Sequence, residues 1–180
     1  MMFRAERFNT YLLVVAAAAG LAACGCESIA EKAHPKLLST LRVHIESSFD
    51  ATKANEAIPV YREKPVWLTV DKQPILTEGD VSSASVVDAV GGYVLSIQFD
   101  HRGTELLEET TAANHGRRLV VFSQFGDKLK DYRWLAAPMI SHRISDGVLV
   151  FTPDATREET EEIALGLNNV SKKVRTWVDR

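Results

Sequence analysis

The chain has 180 residues, 46% of them hydrophobic and 25% charged, with a formal net charge of −3 at neutral pH. That length suits one domain of ordinary size with a core of its own. A mildly acidic chain without a basic block argues against nucleic acid, whose phosphates demand clustered lysine and arginine, and against electrostatic adhesion to anionic lipid.

The first element is a leader. Arg4 and Arg7 make a positive head, an apolar run follows from Tyr11 to Ala23, and Leu21-Ala22-Ala23 leads into Cys24. Charged region, apolar region and small-residue cleavage site are the ordered parts of an export signal. The run falls short of the about 20 apolar residues that a spanning helix needs, which leaves ordinary secretion as the alternative reading. With cysteine at the cut, the segment resembles the lipobox of bacterial lipoproteins. The resemblance implies cleavage after Ala23, a diacylglycerol on the Cys24 thiol and a further acyl group on the new amino terminus. Residues 1–23 are then a signal peptide, and Cys24 is the lipidation site. Its removal takes away Arg4, Arg7 and Glu6 and leaves 157 residues at a formal −4. Two acyl chains hold a protein firmly to a bilayer where one does not, so the expected partner at this end is the lipid bilayer. Gly25 stands where aspartate would retain a lipoprotein at the inner membrane of some two-membraned bacteria, so delivery to an outer membrane stays open. The second cysteine, Cys26, is either an exposed thiol beside the anchor or an intermolecular disulfide to a second copy; the body has no disulfide framework.

Residues 24–38 read as a tether, followed by a single domain over 39–180. Leu41, Val43 and Ile45 alternate with Arg42, His44 and Glu46, the period of a half-buried strand with His44 on its polar face. Ile58 to Arg62 is extended, and Pro59 marks an edge because proline cannot donate to a ladder. Val66, Leu68 and Val70 alternate again. Ala84–Val90 and Tyr93–Phe99 flank Gly91-Gly92 and predict a hairpin, since glycine supplies the positive φ of a tight primed turn. A helix is expected over Gly103–Asn114, with Leu106, Leu107, Thr110 and Ala113 as its apolar face and Gly116 as a left-handed stop. Leu119–Phe122 has strand length, Asp127–Arg133 is charged, and Leu135–Ile140 is extended around Pro138. Asp146-Gly147 turns into Val148–Phe151. Thr156 and Glu159 form a capping box that starts a last helix. Ile163, Leu167, Val170, Val174 and Trp177 make its amphipathic stripe, a core face or a partner surface.

Little in this order carries chemistry. Among His34, His44, His101, His115 and His142 no two stand four apart on one helix, and no zinc spacing appears. Ser141-His142 lacks a nucleophile elbow. Glu108-Glu109, Glu158-Glu159 and Glu161-Glu162 lie on helices with little apolar cover, whereas a raised catalytic pKa needs burial or a close like charge. No catalytic, cofactor or metal residue is assigned; an envelope hydrolase using His101 or His142 with a carboxylate remains as a minor alternative.

The wording of the body is nevertheless familiar. Pro74-Ile-Leu-Thr-Glu-Gly-Asp80 runs on to Ala84, the hairpin ends Ser96-Ile-Gln-Phe99-Asp100, and Gly103, Thr110-Thr111 and Asn114-His-Gly116-Arg-Arg-Leu119 follow. Ala136-Ala-Pro138-Met-Ile140, Ile144, Gly147, Val150 and Phe151-Thr152 then precede the helix at Thr156–Leu167. Over residues 74–167 this order resembles the head part of the first periplasmic domain of SecD, the accessory subunit of the bacterial protein-export channel. The resemblance implies an α+β fold, a mixed and mostly antiparallel sheet with two main helices on one face. It implies no cofactor, no catalytic residue, and the holding of translocating polypeptide outside the membrane. Two departures stand out. SecD spans the membrane several times, whereas no spanning run follows the leader here, so energy-coupled translocation does not carry over; and Gly126-Asp-Lys-Leu-Lys-Asp131 differs from the family's turn. The sequence therefore leads to a lipid-anchored, non-enzymatic envelope protein that faces the periplasm or exterior. Its expected partner is unfolded exported polypeptide, an export-channel subunit or another envelope protein, and a self-associating structural lipoprotein is the alternative.

Overall fold

The computed structural model describes residues 37–48 and 55–178, with side chains as far as 173; Cys24, Cys26, His34 and the leader lie outside the described residues. Strands are β1 (Thr40–Ile45), β2 (Asn55–Val60), β3 (Val66–Asp71), β4 (Leu76–Thr77), β5 (Val81–Ala89), β6 (Gly92–Phe99), β7 (Leu119–Phe125), β8 (Asp131–Ala136) and β9 (Val148–Phe151). Helix α1 is His101–Ala113, helix α2 is Arg157–Val178, and short 3-10 turns occupy Glu78–Asp80 and Asp127–Leu129. The fold is α+β, and among the described residues the strand pairings are antiparallel. The strands divide into three sheets ordered β4-β1-β7-β8, β2-β3 and β5-β6-β9.

Period-two alternation explains the main core. Leu41 and Val43 of β1, Leu119 and Val121 of β7, Leu95 and Ile97 of β6, and Leu149 of β9 turn inward. They meet Leu107 of α1 and Ile163, Ala164 and Leu167 of α2. The Gly91-Gly92 turn has φ of 86° and 158° and joins β5 to β6 with Ala89 opposite Gly92, as the glycine pair predicts. The capping box forms too: the Glu159 N–H donates to Thr156 Oγ1 at 3.2 Å, and the Thr156 N–H donates to Glu159 Oε2 at 2.8 Å.

Helix α1 starts two residues earlier than the periodicity suggests, because Asp100 caps it by accepting from the Gly103 N–H at 2.7 Å. Of its expected face Leu107 is buried and Leu106 packs against the core, whereas Ala113 is exposed and the other buried positions are Gly103 and Thr111. A Cβ on Gly103 would sit 2.9 Å from Phe99 Cβ and 3.0 Å from the Asp80 carbonyl oxygen, so the helix approaches the β4–β5 turn as only glycine permits. Thr111 is reachable as a core residue because its hydroxyl donates to the Leu107 carbonyl at 2.8 Å and accepts from the Ile144 N–H at 2.9 Å. Gly116, two residues past the C-cap Asn114, has φ 83°.

The β2–β3 hairpin corrects the reading of β1. Ile58, Val60, Leu68 and Val70 close over Val120, Ala137 and Trp134 on the outer face of the four-stranded sheet and make a second, smaller core. His44 is therefore buried and not on a polar face. Its Nδ1–H donates to the Asp71 carbonyl at 2.7 Å, and its ring meets Trp134 edge-on with centroids 5.4 Å apart. Burial lowers its pKa, against the opposing pull of the Asp71 carbonyl. The charged segment after β7 is not a loop throughout: β8 starts at Asp131, and Arg133 is bidentate with Glu159 at 2.9 and 3.1 Å. That pairing holds the Glu159 carboxyl below its usual value.

Candidate functional site

The two edges of the β5-β6-β9 sheet are treated differently. Along β5, the Asn168 side chain of α2 imitates a missing strand. Its Oδ1 accepts from the Ala84 N–H and its Nδ2 donates to the Ala84 carbonyl, both at 2.8 Å. Ser171 adds a bond from its hydroxyl to the Ser82 carbonyl at 2.8 Å. Side chains thus occupy this edge at Ser82 and Ala84, which blunts its capacity to pair there.

The β9 edge is open. The Phe99 N–H donates to the Gly147 carbonyl at 2.9 Å and fixes the phase of the β6–β9 ladder. In an antiparallel pair alternate residues bond across and the others turn outward. Leu149 and Phe151 thus bond toward β6, while Val148 and Val150 direct main-chain groups away from it. Asp146 Oδ1 already accepts from the Val148 N–H at 3.0 Å. Val150 turns both of its main-chain groups toward a cleft of about 500 Å³. Leu119, Pro138, Met139 and the Ser141–Asp146 stretch also line it. Met139 is 57% exposed and Val150 49%, so apolar side chains stand free in the lining. The Pro138–Ile140 part is held in place: the Leu119 N–H donates to the Pro138 carbonyl at 3.0 Å, and the Ile140 N–H to the Arg117 carbonyl at 2.8 Å.

The histidines separate. His115 Nε2–H donates to the Ser141 carbonyl at 2.9 Å, His142 Nδ1 shares a bond with Ser141 Oγ at 3.0 Å, and His101 lies 3.6 Å from Glu105. No contact joins His101 to His142 among the described residues, and no group of three potential ligands gathers there. Of the paired carboxylates, Glu108 is ion-paired with Arg143 and Glu159 with Arg133. On α2, Ile163 and Leu167 are fully buried in the chain's own core, which leaves that part of the stripe no partner role. Val174 and Trp177 lie beyond the described side chains. Sequence reading misses Asn168 and the open edge of β9. Asn168-Asn169 in mid-helix is the available signal, because asparagine favours caps and turns over helix interiors.

The residues carrying the family wording are structural. Asp80 accepts from the Thr77 N–H at 2.9 Å, offers its carbonyl to the Asp100 N–H at 2.8 Å and is paired with Arg102 at 3.2 Å. Ala84 is the residue that Asn168 grips. This is a small α+β module whose distinguishing surface is an open strand edge beside a cleft of mixed lining with exposed Met139 and Val150. The chain belongs to the family described as SecDF, P1 head subdomain, whose model matches residues 55–171. It is 34% identical over 102 residues to the protein translocase subunit SecDF of Thermus thermophilus, an alignment covering 56% of this chain and 13% of that protein. It is 29% identical over 135 residues to the protein translocase subunit SecD of Aquifex aeolicus, covering 74% and 25%. The chain thus spans a quarter or less of the length of these relatives. A solved SecDF structure, described as a membrane component that enhances protein export, matches with TM-score 0.52 and 24% identity over 74% of this chain and 63% of that one. SecDF in its super-membrane-facing form matches with TM-score 0.53 and 23% identity over 73% and 19%. These likenesses show the fold. Among the described residues no helix is long and apolar enough to cross a membrane.

Proposed function

We propose that this chain is a non-enzymatic, lipid-anchored envelope protein that holds exported polypeptide, as an accessory to protein export, on the open edge of β9. The carrying observation is the asymmetry of the β5-β6-β9 sheet: α2 occupies one edge at Ser82 and Ala84, and the other lies at a cleft where Met139 and Val150 are exposed. An extended client adds as a further strand, main-chain bonds at Val150 supply affinity tolerant of sequence, and the cleft receives alternate side chains. Family membership over residues 55–171 supports the link to export. The anchor rests on the leader and Cys24, and acylation there keeps the module at the bilayer.

A photo-crosslinking residue placed at Met139 in cells, with a second at Val87 as control, tests both parts together with mass spectrometry of the bait. Capture of export-channel subunits or many unrelated secreted chains at Met139 alone, on a bait whose first peptide begins at acylated Cys24, is expected. Capture only of a second copy overturns the client reading in favour of a structural lipoprotein. An unmodified Cys24 overturns the anchor.

A further inference from the structure

The open edge of β9 is bounded at both ends. Its outward residues are Val148 and Val150, and the Val148 N–H is already held by Asp146 Oδ1 at 3.0 Å. The turn behind Asp146 is pinned. The Gln98 side-chain amide donates to the Asp146 and Gly147 carbonyls at 3.2 and 3.3 Å, and the Phe99 N–H donates to the Gly147 carbonyl at 2.9 Å. Gly147, at φ 70°, lies so close to Thr104 that a Cβ would collide with its side chain. At the other end Pro153 has no N–H to give. The Asp154 N–H donates to the Leu135 carbonyl at 2.7 Å, which carries the chain over to β8.

We propose that Asp146 is a register stop, which bars an added strand from pairing at Val148 and confines the pairing to Val150. This rests on reading the β9 edge as a polypeptide site. A guest of either polarity must place a carbonyl oxygen in front of each outward N–H of its host. In front of the Val148 N–H that place is filled by a carboxylate oxygen, and a guest carbonyl brought there meets like charge. The Val150 N–H has no such occupant. Asp146 is thus a positioning residue: it sets where the guest ladder starts and how few main-chain bonds hold it. A ladder this short releases its guest quickly, because differences of this kind fall mainly on the off-rate.

The test follows single amides of the full chain by hydrogen exchange, with and without a seven-residue peptide of alternating valine and threonine. The affinity of the same peptide is read by fluorescence anisotropy. At about ten times its dissociation constant, the peptide should slow exchange at Val150 about tenfold and leave Val148 unchanged. Asp146→Ala frees the Val148 N–H. It should extend the slowing to Val148 and tighten binding about two- to tenfold, the net worth of one main-chain hydrogen bond. Asp146→Asn keeps the Oδ1 acceptor and should behave as the native chain does. Slowing at Val148 in the native chain overturns the stop without recourse to any variant. So does an Asp146→Ala chain whose slowing stays at Val150 alone, since Asp146 then serves only the turn. Absence of slowing at Val150 in the native chain overturns the reading of the edge itself.

Discussion

His44 shows how one side chain can join two layers. It is buried between β1 and the β2–β3 hairpin, bonded to the Asp71 carbonyl and set edge-on to Trp134. Burial disfavours its charged form; among its charged neighbours Arg42 adds to that effect, while Glu56 and Asp71 oppose it. A depressed folded pKa means that the unfolded chain binds the proton more readily, so stability falls as pH drops below the ordinary value of 6.5. Chemical unfolding at pH 7.5 and pH 5 should show this loss in the native chain, and His44→Gln, which keeps a donor toward Asp71 but cannot titrate, should reduce the pH dependence. Equal slopes would remove His44 from the account. The sequence misplaces this residue because alternation in β1 identifies two faces and says nothing of a second layer contributed by a distant hairpin.

At the scale of elements, Asn168 is the most informative contact. Replacing it with alanine leaves the Ala84 N–H and carbonyl without their side-chain partners. Losing partners on partly buried main-chain groups costs about 1–3 kcal/mol, and the better helix propensity of alanine returns about 0.6 kcal/mol. Asn168→Ala should therefore lower unfolding free energy by about 1–2 kcal/mol and speed amide exchange at Ala84; unchanged exchange there would refute the role of the side chain as a strand substitute. Elements with local signals are legible in the sequence: the glycine-pair hairpin, the turn into β9 and the capping box at Thr156 each depend on neighbours within about four residues. Elements defined by remote partners are not. The charged start of β8 reads as loop until Glu159 and Asp154 are seen to accept from Arg133. The open edge of β9 is a property of what does not pair with it, which no local pattern encodes.

The small hairpin is fastened to the rest of the body near Asp154. Tyr61, at φ 70°, turns the chain so that the Arg62 N–H donates to Asp154 Oδ2 at 2.8 Å and its guanidinium reaches Oδ1 at 3.3 Å. A left-handed φ on a bulky residue carries a strain cost, which this contact helps to offset. Asp154→Ala should raise hydrogen exchange across residues 55–71 while α1, β6 and β7 keep their protection, and should quench or shift Trp134 emission as the second core loosens. Uniform loss of protection would mean that the two cores unfold as one unit. The closed and open edges have a further consequence at this scale. A sheet with two free edges can recruit copies on both sides and grow into a fibre. In the β5-β6-β9 sheet α2 blocks the β5 edge at Ser82 and Ala84, so two copies that pair through β9 present a blocked edge on either side and growth ends at the pair. Edge-to-edge growth by copies of this sheet is thereby limited to one pair of modules, a built-in chain terminator against polymerisation.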